Sequence, residues 1–319
     1  MSSPVLSLRG VSKEFPTHVA VRDLNLDVER GCLFALLGPS GCGKTTTLRL
    51  VAGFEQPTRG QVLLNGEDIA HRKPYERNVS TVFQNYALFP HLTAWENVAF
   101  GLRRKGTAGA EAARRVREVL ELVRMETKAD RKPARLSGGE KQRIALARSL
   151  VLEPEILLLD EPLSALDPNL RKQVRLELKA LQRRVGITFV MVTHDQEEAM
   201  AMADVIAVMH QGRLEQVGTP EEIYLRPKTR FVAGFLGAVN WLDTLGVRPE
   251  AVRIAYAPNG RTRRARVEAA MFLGNCLHVE ARLDSGHAVT AEVSRFNGTF
   301  HRGQEVHVWW DERDELRLE

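Results

Sequence analysis

The residues best equipped for chemistry lie in Gly38-Pro39-Ser40-Gly41-Cys42-Gly43-Lys44-Thr45-Thr46, where Gly, four residues, Gly-Lys and a hydroxyl residue follow one another. This is the phosphate-loop pattern. Glycines let backbone N–H groups converge on phosphate oxygens without side-chain interference. Lys44 is placed to reach the β- and γ-phosphates of a nucleotide, and Thr45 to hold Mg²⁺. A second run, Ile156 to Leu159, leads into Asp160-Glu161. Asp160 can join the Mg²⁺ shell, and Glu161 can polarise a water for in-line attack on the γ-phosphate. Alone, Glu161 would read as a solvated carboxylate; its adjacency to Asp160 favours the catalytic reading. His194 and Gln84 also end apolar runs. His194 can donate to a γ-phosphate and orient Glu161 or a water, and the Gln84 amide can touch Mg²⁺ or that water. Ser137-Gly138-Gly139 precedes a helical pattern and so forms a second anion-binding helix end. Either the chain binds two anions, or this end completes a site on another copy.

These residues need strands and helices to place them. Leu33 to Leu37 is an apolar run of buried-strand type before the phosphate loop, and Thr47 to Ala52 reads as a helix stopped by Gly53. Val5–Arg9, Leu24–Val28, Gln61–Leu64 (before an Asn65-Gly66 turn) and Val79–Phe83 read as further strands. Glu111–Met125 has Val116, Val119, Leu120 and Val123 at helical spacing. Leu136 to Glu140 opens a helix that Pro154 ends, and Asp167-Pro168 caps another. Ile187–Val192 is a buried strand, followed by a capping box of Asp195 and Glu198. Val205–Met209 and Arg213–Val217 form a hairpin, and Thr219-Pro220 starts a short helix.

After about Gly237 helical periodicity disappears. Short alternating runs follow at 252–257, 265–271, 276–283, 288–293 and 305–310, punctuated by Asn259-Gly260, Ser285-Gly286 and Asn297-Gly298. This reads as a small antiparallel barrel. The fold class is therefore α/β: a phosphate-loop NTPase core with an antiparallel β subdomain and a helical insertion at about 91–136, followed by a small all-β, OB-like barrel. The expected domains are 1–236 and 237–319.

With 319 residues, 44% hydrophobic and 27% charged, the composition is that of a soluble globular protein with room for two domains. No apolar run approaches the roughly 20 residues of a membrane span, and Met1–Gly10 does not read as a signal peptide. Three scattered cysteines give neither a disulfide framework nor metal spacing, which points to a reducing cytosol. The net charge of +5 decides between no partners.

Taken together, the phosphate loop, Gln84, Leu136-Ser137-Gly138-Gly139-Glu140, Ile156–Glu161, Ser164-Ala165-Leu166-Asp167 and His194 resemble the ATPase subunits of ATP-binding-cassette transporters over residues 1–235. The usual signature ends in Gln where this chain has Glu140. The resemblance implies ATP with Mg²⁺, and Phe15 stacked on adenine. It implies that Ser137, Gly138, Gly139 and Glu140 act on the opposite subunit's ATP in a head-to-tail homodimer, with Asp167 linking the two sites. It further implies that Tyr86, Leu88 and Phe89 dock on one of two integral-membrane permease subunits, with an extracytoplasmic solute-binding protein as a further partner. The place implied is the cytoplasmic face of the inner membrane, as a peripheral protein.

The barrel, through Gly246-Val247-Arg248-Pro249-Glu250 and Phe272-Leu273-Gly274, is similar to the C-terminal domain of importer ATPases of the maltose, polyamine, sulfate and ferric-iron type. Residues 78–102 look closest to the polyamine type. Asn240-Trp241-Leu242 runs almost directly into Val247, where relatives carry a strand-rich segment, so the barrel reads as shortened. A cassette ATPase acting on nucleic acid or ribosomes is the alternative, with Trp309, Trp310, Phe296 and Phe300 as stacking residues. The presence of one cassette and not two in tandem argues against it, and no nucleic acid is expected as partner. The importer-type barrel argues against an exporter.

Overall fold

The computed structural model describes residues 3–164, 166–257, 262–296, 298–316 and 318. Ala165, Asn259, Gly260 and Asn297, which the sequence places in loops and turns, lie outside them. Contacts divide the chain into two units, 1–220 and 221–319.

In the first unit β1 (Leu6–Phe15) and β2 (His18–Val28) form a long hairpin. Sequence alternation finds only its base, because register shifts between Leu8 and Glu14 interrupt the period of two. β3 (Leu33–Leu37) is buried along its whole length and leads into the phosphate loop and α1 (Lys44–Ala52). The helix starts three residues earlier than the apolar pattern does, since Lys44 to Thr46 form its first turn. β4 (Arg59–Leu64) and β5 (Glu67–Asp68) fold about Asn65-Gly66 and complete a sheet of order β2-β1-β4-β5.

The rest of the unit alternates strands and helices. These are β6 (Val79–Val82), α2 (Ala94–Arg104), α3 (Gly109–Leu122), α4 (Gly138–Leu150), β7 (Ile156–Asp160), α5 (Pro168–Val185), β8 (Thr188–Thr193), α6 (Gln196–Met202), β9 (Val205–His210) and β10 (Arg213–Gly218). The second sheet has the order β10-β9-β3-β8-β7-β6, parallel except for β10. Its pairing aligns Leu37 with Thr193, Asp160 with Val192 and Val82 with Leu159. Four strands therefore end along one edge, where an open parallel sheet presents its ligand crevice. Helices α2, α3 and α4 share an apolar core of Val98, Leu102, Val116, Leu120, Ile144 and Val151.

Two charged or polar side chains hold this unit from within. Arg77 is buried and donates to the carbonyls of Leu50, Val51, Ala70 and Arg72. It thereby satisfies carbonyls that the C-terminal end of α1 leaves open, with the charge sign that this end favours. Glu198 corrects a sequence expectation. Asp195 accepts from Glu198 N, but the Glu198 carboxylate turns inward to accept from Thr193 Oγ1 at 2.8 Å, so the capping box is only half formed. Burial raises the pKa of Glu198 above the usual carboxylate value.

The second unit begins within α7 (Pro220–Leu225) and contains α8 (Arg230–Phe235), a six-residue helix too short to register as a sequence period. β11 (Asn240–Leu242) and β12 (Leu245–Val247) make a tight hairpin, joined later by β18 (Glu315–Leu316). β13 (Arg253–Ala255), β14 (Arg263–Phe272), β15 (Cys276–Leu283), β16 (Ala288–Ser294) and β17 (Glu305–Trp309) form an antiparallel sheet of order β13-β17-β14-β15-β16. β16 comes back beside β13, which nearly closes the barrel. Val267, Val279, Ala281, Val289, Ala291, Val306 and Val308 fill it. Arg248 is buried, stacks on Tyr224 and donates to Tyr224, Ala233 and Ala238 carbonyls, tying both short helices to the barrel.

Candidate nucleotide site

α1 begins on Gly43, whose φ of 103° is in the left-handed region that side chains disfavour. A Cβ there would stand 2.4 Å from the Ala20 carbonyl oxygen, and one on Gly38 would stand 2.3 Å from that of Met209. Backbone thus presses against backbone on both sides of the loop. No side chain caps α1, and its first turn carries no acid, so its N-terminal amides face an anion without competition. Lys44 is buried and donates to the Gly38 and Pro39 carbonyls at 2.7 and 2.9 Å, which folds its ammonium over the loop. Pro39, Ser40, Gly41 and Cys42 form the turn, closed by Cys42 N donating to Pro39 O. Thr46 is half-buried in the first turn of α1.

The Thr45 hydroxyl lies beside Asp160 at the end of β7. Asp160 is half-buried; burial, and then the charge of Glu161, raise its pKa above the usual value, against Arg49 and the Thr45 hydroxyl. A hydroxyl and a carboxylate are hard oxygen donors of the kind Mg²⁺ takes beside a nucleotide, so this pair fits the ion.

Glu161 has a φ of 46°, a left-handed conformation uncommon for a non-glycine residue. Its amide donates to Val192 O, which anchors it to β8. The turn points its carboxylate at two neighbours: His194 Nδ1 lies 3.2 Å from Oε1, and Gln84 Nε2 donates to Oε2 at 3.3 Å. Both carboxylate oxygens are held, while the side chain keeps 23% exposure for a water to reach it. Gln84 also donates to Ser164 Oγ at 3.0 Å, and Ser164 donates to Glu161 O. Ser164 has no role evident from sequence; its position three residues after Glu161 is the only signal. Arg171 fixes the same turn through the Ser164 and Leu166 carbonyls.

Other expected residues stand apart from this cluster. Phe15 is half-buried at the hairpin tip, stacked on His18 with Lys13 over its ring. Ser137 caps α4 by accepting from Glu140 N, and Glu140 accepts from Ser137 N at 2.8 Å and pairs with Lys128. Lys128 first, then the Ser137 amide, lower the pKa of Glu140. Gly138 and Gly139 lie against Leu166 and Leu170. Asp167 is exposed and caps α5 through Leu170 N.

In the loop after Gln84, Tyr86 is buried, with a φ of 62° at its backbone. Leu88 and Phe89 are half-buried. Arg148 donates to the Tyr86 and Ala87 carbonyls, and buried Asn97 bonds Phe89, Leu92 and Thr93.

A sequence-family profile described as ABC transporter matches residues 21–164, and one described as TOBE domain matches 245–318. The spermidine/putrescine import ATP-binding protein PotA of Nostoc sp. is 44% identical over 354 residues, covering 98% of this chain and 93% of the relative. That alignment is longer than the 319 residues here, so the relative carries residues without counterpart. The protein of the same name from Thermobifida fusca is 51% identical over 304 residues, covering 93% and 79%. Among solved structures, a dimeric ATP-binding cassette in a post-hydrolysis state bound to ADP and Pi is 32% identical with a TM-score of 0.60, covering 67% of this chain and 98% of that one. For cbiO1 from Clostridium perfringens, part of an ABC transporter complex, the values are 30%, 0.64, 70% and 91%. No helix among the described residues is long and apolar enough to cross a membrane. With a phosphate loop, a hydroxyl–carboxylate pair and a held carboxylate along one sheet edge, and with relatives matched across nearly the whole chain, this protein belongs to the ATP-binding-cassette transporter family and is an ATPase.

Proposed function

We propose that the chain drives import of a polyamine-type solute by hydrolysing ATP as a head-to-tail dimer on the cytoplasmic face of the inner membrane. The observation that carries the hydrolytic part is the grip on Glu161 by His194 and Gln84. In this reading the phosphate loop and α1 bind the triphosphate, and Phe15 meets the adenine. Thr45 and Asp160, with Gln84 nearby, would hold Mg²⁺, which would supply charge neutralisation to the triphosphate. Glu161 accepts a proton from the attacking water, and His194 keeps the carboxylate aimed while donating toward the γ-phosphate. Ser137, Gly138 and Gly139 of a second copy close over the site, and Asp167 reports closure from one site to the other.

The import part rests on the relatives. Two membrane permeases would supply the pore and a solute-binding protein the cargo. Leu88 and Phe89, on a loop fixed by Arg148 and Asn97, would carry closure to a permease. The nucleotide-binding domain would be 1–236 and the barrel 237–319.

Glu161→Gln is expected to keep ATP binding while turnover falls by about 10²–10⁴-fold, the usual worth of a general base. In cells it should abolish uptake of radiolabelled spermidine and putrescine. Normal turnover overturns the role of Glu161. Lost turnover with normal polyamine uptake overturns the cargo alone.

A further inference from the structure

Cys276 and His278 stand two residues apart on β15, and therefore on one face of the sheet. β16 pairs Glu292 directly opposite His278. Cys276 Sγ, a His278 ring nitrogen and a Glu292 carboxylate oxygen all lie within 4.8 Å of one another. His278 Nε2 is 3.2 Å from Glu292 Oε2, and the Cys276 thiol lies beside the same carboxylate. Among the described residues no other three His, Cys, Asp or Glu side chains come this close. A cross-strand His–Glu pair is ordinary by itself. A buried thiol converging on the same carboxylate is what distinguishes this one.

We propose that Cys276, His278 and Glu292 form a Zn²⁺ site on the outer face of the barrel. Thiolate, imidazole and carboxylate are the three zinc donor types, and a set containing sulfur and nitrogen disfavours Mg²⁺ and Ca²⁺. Tetrahedral zinc with bonds of about 2.0–2.1 Å to nitrogen and oxygen needs those atoms about 3.3 Å apart. The His278–Glu292 separation is already there. The ladder from Cys276↔Ser294 to Arg282↔Ala288 holds both strands in register, so the donors sit on rigid elements. On binding, the thiol proton passes to solvent and the charges of thiolate and carboxylate balance the ion. Glu292 lies toward solvent, leaving a fourth position for water or an outside ligand. The site is remote in sequence from every residue assigned to ATP and does not depend on the import reading.

The test is a Co²⁺ titration of the full chain followed by Zn²⁺. About one equivalent of Co²⁺ should give a thiolate-to-cobalt charge-transfer band with tetrahedral d–d bands, which Zn²⁺ bleaches. Cys276→Ser should remove the charge-transfer band. His278→Gln and Glu292→Gln should each weaken binding about 10-fold or more, with ATP hydrolysis unchanged as proof of folding. No charge-transfer band in the parent chain, or a band that survives Cys276→Ser through Cys32 or Cys42, overturns the proposal.

Discussion

The helices α1 and α4 both start on glycine-rich segments, and both looked like anion seats, yet their first turns are wired differently. α1 has a left-handed glycine at its cap, no side-chain cap and no acid in its first turn. α4 has a serine cap, a full capping box and a glutamate that pairs with Lys128. One helix leaves its orphan donors to a ligand; the other satisfies part of them with its own side chains. α1 is thus a seat ready within one chain. α4 is a capped helix end, and only the proposed dimer makes it a seat for another copy's phosphate.

Between these two helices the largest effect should come from removing the cation of α1. If Lys44 serves phosphate as proposed, Lys44→Ala deletes charge-assisted hydrogen bonds, each worth roughly 1.5–3 kcal/mol, so ATP affinity should fall by about 10–100-fold in a fluorescent-nucleotide titration. Unchanged affinity would mean that α1 is no more a phosphate seat than α4.

Asp160→Asn separates function from stability at the same helix. Burial and Glu161 raise the Asp160 pKa above its unfolded value of 3.8. Such a carboxyl contributes stability that is complete below 3.8 and is lost as pH rises through the folded pKa. At neutral pH its ionised form is a cost, which asparagine lacks. The variant should therefore show a higher Tm without nucleotide, a flatter Tm between acid and neutral pH, and a loss of Mg²⁺-dependent hydrolysis. A lower Tm would contradict the assigned cause of the shift.

How much of this was legible in the sequence follows the range of the interactions. Gln84, Asp160, Glu161 and His194 could be read because each closes an apolar run, and parallel strands bring such ends to one edge. The barrel strands could be read because they alternate. Arg77, Asn97, Arg148 and Arg248 could not. The three arginines reach backbone carbonyls distant in the chain, and Asn97 those of the loop that leads into its own helix, and such bonding leaves no local period. The burial of Tyr86 could not be read either, because an apolar residue in a loop reads equally as surface or support.

Ser137→Ala tests α4 directly. Loss of the cap should cost about 1 kcal/mol of stability. If α4 serves a partner's nucleotide, hydrolysis falls further than that loss explains while ATP binding by the single chain stays normal. A Tm change alone would leave Ser137 as a cap.

Glu140→Gln is the smallest change and the finest discriminator. Glutamine at this position can keep the capping box, so only the Lys128 pair and the charge are lost. Such partly exposed pairs contribute about 0.2–1 kcal/mol. Because Lys128 and the Ser137 amide lower the Glu140 pKa, this stability is present above 4.5 and fades as pH falls through the folded pKa. The Tm difference between parent and variant should therefore shrink in acid. The functional effect should run the other way. A carboxylate at a helix N-terminus uses up part of the positive field that an incoming phosphate needs. Removing it should let dimers form at lower ATP concentration, read by light scattering in the Glu161→Gln background. If stability drops and ATP-dependent dimerisation does not move, the α4 end is only a capped helix, and the difference between the two helices is one of function and not of degree.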